Sequence, residues 1–119
     1  MVKPTTRSAG PFTIPEMDYI NDYFNGSIAG TPYCWLHIQR HASVDFAQLH
    51  ISGIAFSLAA ARTMRADFAE VKEWLRSQGI KMIVGVKEGE LTDWRRLVMF
   101  LGFAEPRPIN GRMFIEMGV

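Results

Sequence analysis

At 119 residues, 48% apolar and 21% charged, with a formal net charge of +1, the chain has length for one packed core and too little for two. Fourteen aromatics exclude a disordered chain, no apolar run reaches the ~18 residues of a membrane span, and no apolar stretch behind Met1–Arg7 predicts a secretory signal. Charge is spread evenly, a net −1 over residues 1–59 and +2 over 60–119, so nucleic acid is not an expected partner.

Residues 1–15, with Pro4, Gly10, Pro11 and Pro15 among small polar residues, read as an arm or loop, and residues 16–119 as a single domain. From Pro15 to Phe24 the spacing of Met17, Ile20 and Phe24 predicts a helix, with Glu16 and Asp18 near its start and Asn25-Gly26 as its stop. Two strands are expected over 32–56: Tyr33–Gln39, a connection at Arg40–Ser43, then Val44, Phe46, Gln48 or Leu49, Ile51, Ile54 and Phe56, with a bulge or a close backbone approach at Gly53. Residues 60–78 carry the clearest helix, Met64, Phe68, Val71 and Leu75 forming its inner stripe and Gly79 its stop. The apolar run Ile80–Val86 that follows reads as a buried parallel strand. Lys87-Glu88-Gly89-Glu90 is then a turn, and Thr92 or Asp93 caps a helix running to Leu101, with Trp94, Leu97, Val98 and Leu101 facing inwards. Gly102 takes the left-handed position after it, and Phe103 folds back on the helix end. Phe103–Glu105 and Met113–Met117 are the last strands, joined through Pro106–Gly111 with Asn110-Gly111 as the hairpin signal. The elements predict an α/β fold, a mixed sheet with helices on its faces.

The helix ending Leu75-Arg76-Ser77-Gln78-Gly79-Ile80, the strand Met82–Val86, Leu101-Gly102-Phe103 and the apolar last strand resemble the Gcn5-related N-acetyltransferase (GNAT) family over about residues 44–117, in a shortened form. That resemblance implies an acetyl-CoA pyrophosphate loop of the form Arg/Gln-x-x-Gly-x-Gly/Ala at a helix N-terminus, where bare backbone amides and the helix dipole hold the phosphates. The corresponding stretch is Ser57–Thr63, which contains no glycine; if acetyl-CoA binds after all, Ala60, Ala61, Arg62 and Thr63 would meet it. It also implies a tyrosine, four residues before the Gly-Phe glycine, that protonates the leaving thiolate, and an asparagine seven residues before that. Those positions hold Val98, which has no proton to give, and Leu91. Trp94–Phe103, apolar at 98 and aromatic at 100, is similar to GNAT-like proteins of tailed bacteriophages, including those grouped with internal virion proteins.

Other residues are weighed against plainer roles. His37 and His41 stand four apart, the zinc spacing on a helix, but a strand and its turn would not let them converge; with His50 they read as ordinary histidines, and no metal is expected. Asp45 falls on the strand where the resemblance implies an acidic base, with Glu16 or Asp18 assisting, yet each also reads as a solvated carboxylate. Cys34, the only cysteine, excludes an internal disulfide, suits a reducing compartment, and reads as a small buried hydrophobe. Trp35, Arg95, Arg96, Met99 and Phe100 are the candidate interaction residues, as aromatic, methionine and arginine side chains suit a protein interface.

No catalytic residue and no cofactor are assigned. The expected function is a non-catalytic GNAT-like domain working through protein partners or self-association, as a phage virion or assembly component in the host cytoplasm or the virion. The alternatives are an atypical acetyl-CoA-dependent N-acetyltransferase, with Asp45 or water moving protons, and a phage-encoded inhibitor of a host protein.

Overall fold

The computed structural model describes residues 1–52, 57–88 and 93–119. Its strands are β1 (Val2–Pro4), β2 (Ile20–Ile28), β3 (Thr31–Arg40), β4 (Phe46–Ser52), β5 (Met82–Glu88), β6 (Arg107–Ile109) and β7 (Arg112–Gly118); its helices are α1 (Leu58–Ser77) and α2 (Asp93–Phe100). They form one mixed sheet of order β1-β2-β3-β4-β5-β7-β6, in which only β4 and β5 run parallel, joined through α1. Both edge strands are three residues long and carry a proline (Pro4, Pro108), which blunts them against strand addition by another chain. No described helix is long and apolar enough to cross a membrane.

Each helix is built and closed by local sequence. Ser57 caps α1, its Oγ accepting the Ala60 amide at 2.9 Å, and Ala60, Met64, Phe68, Val71 and Leu75 form the buried stripe. At its end Gly79 sits at φ +78°, its amide donating to the Arg76 carbonyl, while the Ile80 amide reaches back to Leu75 at 3.0 Å. The end of α2 repeats this: Gly102 at φ +102°, bonded to Met99, and the Phe103 amide on the Val98 carbonyl at 3.0 Å. In both, glycine supplies the left-handed residue and the next apolar residue, Ile80 or Phe103, is buried at 4% exposure. Phe68 of α1 meets Phe103 at a ring distance of 5.8 Å, so the two helices lie together. Leu36, Ile38, Leu49, Ile83, Ile115 and Met117 face them in one core.

Several expectations need correction. Residues 15–24 are not a helix: Met17 is exposed at φ +49°, and Ile20–Ile28 is a strand paired throughout with β3, Phe24 opposite Leu36. The polar residues Asn21, Asp22 and Asn25 hide the period-two pattern, and pairing outweighs a three-residue helical match. The expected arm over residues 1–15 opens with β1, paired to Phe24–Gly26, and then crosses the sheet with Phe12 lying on Tyr23 and Trp35. β4 starts at Phe46 rather than Val44, Lys87 and Glu88 continue β5 against β7, and the last hairpin strand is Arg107–Ile109, because Phe103 is used to close α2. Asn110 and Gly111, both at positive φ, make the expected tight turn. The irregularity in the first hairpin is at Tyr33, which the ladder skips between Gly26–Cys34 and Ser27–Pro32; this turns Tyr33 toward α1, where its hydroxyl donates to Asp67 at 2.6 Å. The readings at Gly53, Ile54, Phe56, Gly89, Glu90, Leu91 and Thr92, and the side chain of Trp94, lie outside the described residues.

The β2–β3 turn places Ala29 at φ +51° beside Gly30. A left-handed alanine costs roughly 1 kcal/mol, which asparagine largely avoids. Ala29→Asn is therefore expected to raise stability by about 0.5–1 kcal/mol in urea titrations.

Candidate functional site

Three places collect functional side chains: the gap between β4 and β5, the sheet face away from the helices, and the outer surface of α1 and α2. β4 and β5 pair only where Phe46–Gln48 meets Met82–Val84, although the strands continue to Ser52 and Glu88. They therefore splay apart toward their C-terminal ends, in front of the α1 N-terminus. Gly85 sits where they part; a Cβ there would lie 3.3 Å from the Leu49 carbonyl oxygen and 3.1 Å from Ile115.

At the α1 N-terminus the Ser57 hydroxyl takes one of the free amides, that of Ala60, at 2.9 Å, and the Ser57 carbonyl accepts the first intrahelical bond, from Ala61, at 2.9 Å. Ala60 is buried, Ala61 and Thr63 half-buried and Arg62 exposed. Val98 has no exposed surface and packs in the core, so the side chain at that position faces hydrocarbon. A tyrosine forced into that space would overpack it: Val98→Tyr is expected to cost about 1–3 kcal/mol in chemical denaturation, whereas a position lining an open site would tolerate the ring.

Asp45, weighed as a base against a solvated carboxylate, is not on β4 but just before it, at the paired end of β4 and β5 and away from the gap. It is tied to Lys81, whose amide donates to the Asp45 carbonyl at 2.6 Å and whose Nζ lies 4.0 Å from its carboxylate. Glu16 and Asp18 belong to the segment before β2 and are exposed; Glu16 lies 3.9 Å from Arg7. Neither carboxylate sits on a first helix, because none forms there. Cys34 is buried at 4% exposure and burial pushes its thiol up, as suits a small core side chain.

On the face away from the helices, neighbouring strands bring together residues that are far apart in sequence. His37 and His41 do not converge: His41 is exposed in the turn after β3, on Ser43 at 3.0 Å. Instead His37 lies opposite His50 on β4, with ring centres 5.4 Å apart. His37 also stacks on Tyr23 at 4.5 Å and has Phe12 at its edge. The donor pattern around them is forced from outside. Asn21 Nδ2 donates to the Glu16 and Tyr19 carbonyls, so its Oδ1 must accept, from His37 Nε2 at 2.8 Å and Gln39 Nε2 at 3.0 Å. Gln39 Nε2 also donates to the Pro15 carbonyl at 2.7 Å, which turns Gln39 Oε1 to accept from His50 Nε2 at 2.9 Å. Three carbonyls of the segment before β2 thus assign both imidazoles, by inference from the network, as Nε2–H tautomers with a lone pair on Nδ1. His37 Nδ1 is buried without a hydrogen-bond partner. Burial lowers both imidazoles, His37 to about 4 with the His50 and Arg7 charges adding to it, so both are neutral at neutral pH. No group of three metal-ligating side chains forms among the described residues.

Of the candidate interaction residues, Arg95, Arg96, Met99 and Phe100 share the outer side of α2, and Trp35 stands apart on the opposite face of the sheet behind Phe12. Arg95 pairs with Glu105. Met99 and Phe100 are 44% and 42% exposed, and the Arg65 guanidinium of α1 lies over the Phe100 ring at 5.4 Å.

No family model and no curated protein matches the sequence. Solved structures do match the fold. The chain is similar to an IAA acetyltransferase from Bacillus cereus ATCC 14579 (TM-score 0.69, 9% identity, 100% of this chain and 99% of that one). It is also similar to the ribosomal-protein-S18-alanine N-acetyltransferase of Escherichia coli (TM-score 0.62, 16% identity, 100% and 93%). The GNAT domain of S. lividans PAT matches at a TM-score of 0.63 and 14% identity; there the match takes in 83% of this chain but only 61% of that one. At such identities the similarity defines the fold: the chain is a shortened GNAT-like α/β domain.

Proposed function

We propose that this GNAT-like domain is non-catalytic and acts through protein contacts, as a structural or assembly component of a tailed-phage particle. The observation that carries the reading is Val98, fully buried at the position where the family resemblance implies the thiolate-protonating tyrosine. The α1 N-terminus supports it, since no glycine opens the stretch to Thr63 and the Ser57 hydroxyl already takes the Ala60 amide. The sheet face away from the helices also leaves Val44, Phe46 and Met82 37–41% exposed, side chains that suit a contact surface.

One observation favours a second reading, an acetyl-CoA-dependent N-acetyltransferase. The β4–β5 splay is a gap through which an extended thioester arm could pass, and His50, two residues beyond the last paired position of β4, is a neutral imidazole with a free Nδ1 lone pair. Titration calorimetry with acetyl-CoA decides between them. The first reading expects no heat at micromolar concentrations and no thiol release with amine or peptide acceptors; low-micromolar binding with turnover establishes the second.

A further inference from the structure

We infer that the outer surface of α1 and α2 docks an acidic protein segment that carries apolar anchors. Leu58, Arg62 and Arg65 recur at i, i+4 and i+7 and so share one side of α1, and all three are exposed. Arg65 reaches across to Phe100, which joins that side to Arg96, Met99 and Phe100 of α2. Leu58, Met99 and Phe100 are 69%, 44% and 42% exposed.

The charge on this surface is one-sided. Among the described residues Arg62 and Arg96 have no acidic partner and Arg65 contacts only the Phe100 ring, whereas Arg95, Arg76 and Arg107 are each matched by a glutamate. Asp67, the one acid of α1 before Glu70, points inward to Tyr33. These three guanidiniums, without an acidic partner among the described side chains, are forks suited to carboxylates, and the apolar side chains between them supply the desolvated contacts that turn an ion pair into a specific one.

The same composition argues against other anions. A nucleic-acid backbone has no use for Leu58 or Met99, and the chain has no wider basic stripe, its net charge being +1. A nucleotide diphosphate would meet an α1 N-terminus without glycine whose Ala60 amide is already on the Ser57 hydroxyl. The inference rests on the protein-contact reading and names the chemistry of the partner.

The test uses the full chain and a fluorescent amphipathic peptide, glutamates on one side and leucine and phenylalanine on the other, followed by anisotropy at low and physiological salt. Binding is expected, weakened by added salt and by about tenfold or more in the double variant Arg62→Glu/Arg65→Glu. Phe100→Ser, on an exposed position, should weaken it about fivefold or more, and polyglutamate without anchors should bind about tenfold less tightly. Circular dichroism of each variant establishes that it is folded. The inference is overturned if the peptide does not bind, if the variants bind it unchanged, or if polyglutamate or a single-stranded oligonucleotide binds as tightly. Acetyl-CoA calorimetry separates the two failures: acetyl-CoA binding sinks the non-catalytic reading, whereas silence from both acetyl-CoA and the peptide sinks only this inference.

Discussion

Replacing Phe68 with alanine is expected to lower stability by about 3–5 kcal/mol and to loosen α2 from the rest of the domain. Phe68 is 4% exposed, stands in the middle of the inner stripe of α1, and meets Phe103, the residue that closes α2, at 5.8 Å. α2 itself has eight residues, too few to persist without packing. It is held by Leu97, Val98, Leu101 and Phe103, all in the core shared with α1. Truncating Phe68 removes aromatic area from that junction and leaves a cavity that α1 and the sheet cannot collapse to fill. Urea titrations give the loss, and hydrogen exchange should show α2 amides losing protection before those of α1. A loss below about 1 kcal/mol would mean that the two helices do not share one core. Because α2 carries Arg96, Met99 and Phe100, this variant should also lose whatever binds that surface.

Acidification from neutral pH should destabilise the fold through a buried histidine. His37 is 1% exposed and its folded value lies near 4 instead of the usual 6.5, chiefly through burial, so the folded state resists the proton that the unfolded chain accepts. Its stabilising contribution is whole above pH 6.5 and drains away as pH falls toward 4, with His50, lowered in the same direction, adding to the trend. From pH 8 to pH 5 the loss from His37 is on the order of 2 kcal/mol. Its structural site is the segment before β2: the imidazole holds Asn21 Oδ1, whose amide in turn holds the Glu16 and Tyr19 carbonyls. Denaturation midpoints measured at several pH values should therefore fall between pH 7 and 5. In His37→Phe, which keeps an aromatic ring against Tyr23 and leaves Gln39 to satisfy Asn21, that fall should shrink to the share of His50. A wild-type profile that is flat over this range would place His37 in contact with solvent.

The two halves of the chain differ in how far they can be read locally. In the second half, helix stripes, glycine stops and the Asn110-Gly111 turn each lie within a few neighbouring residues, and the structure follows them with shifts of at most two positions. Its parallel strand also arrives where expected, beside β4. In the first half β2 is polar and pairs across a bulge at Tyr33 of β3, and its strand character comes from the nine residues of β3 that pair with it. A signal for His37 and His50 was present, both being histidines on predicted strands, but their approach depends on a register that neither strand contains.

By itself the sequence determined α1, α2 and their stops, the order of elements from β4 onward that makes the fold GNAT-like, the missing glycines of Ser57–Thr63 and the hydrocarbon at Val98, because each follows from residue type at short range. Tertiary structure alone decided that Ile20–Ile28 is a strand, that Asp45 stands at the closed end of β4, that Asn21, His37, Gln39 and His50 form one hydrogen-bonded network, and that Arg65 crosses to Phe100. The hydrogen bonds among Asn21, His37, Gln39 and His50 and the Arg65–Phe100 contact join residues from 11 to 35 positions apart, the span from His50–Gln39 to Arg65–Phe100. Only burial of the common core sets which strands and helices meet, and with them which side chains meet at the surface.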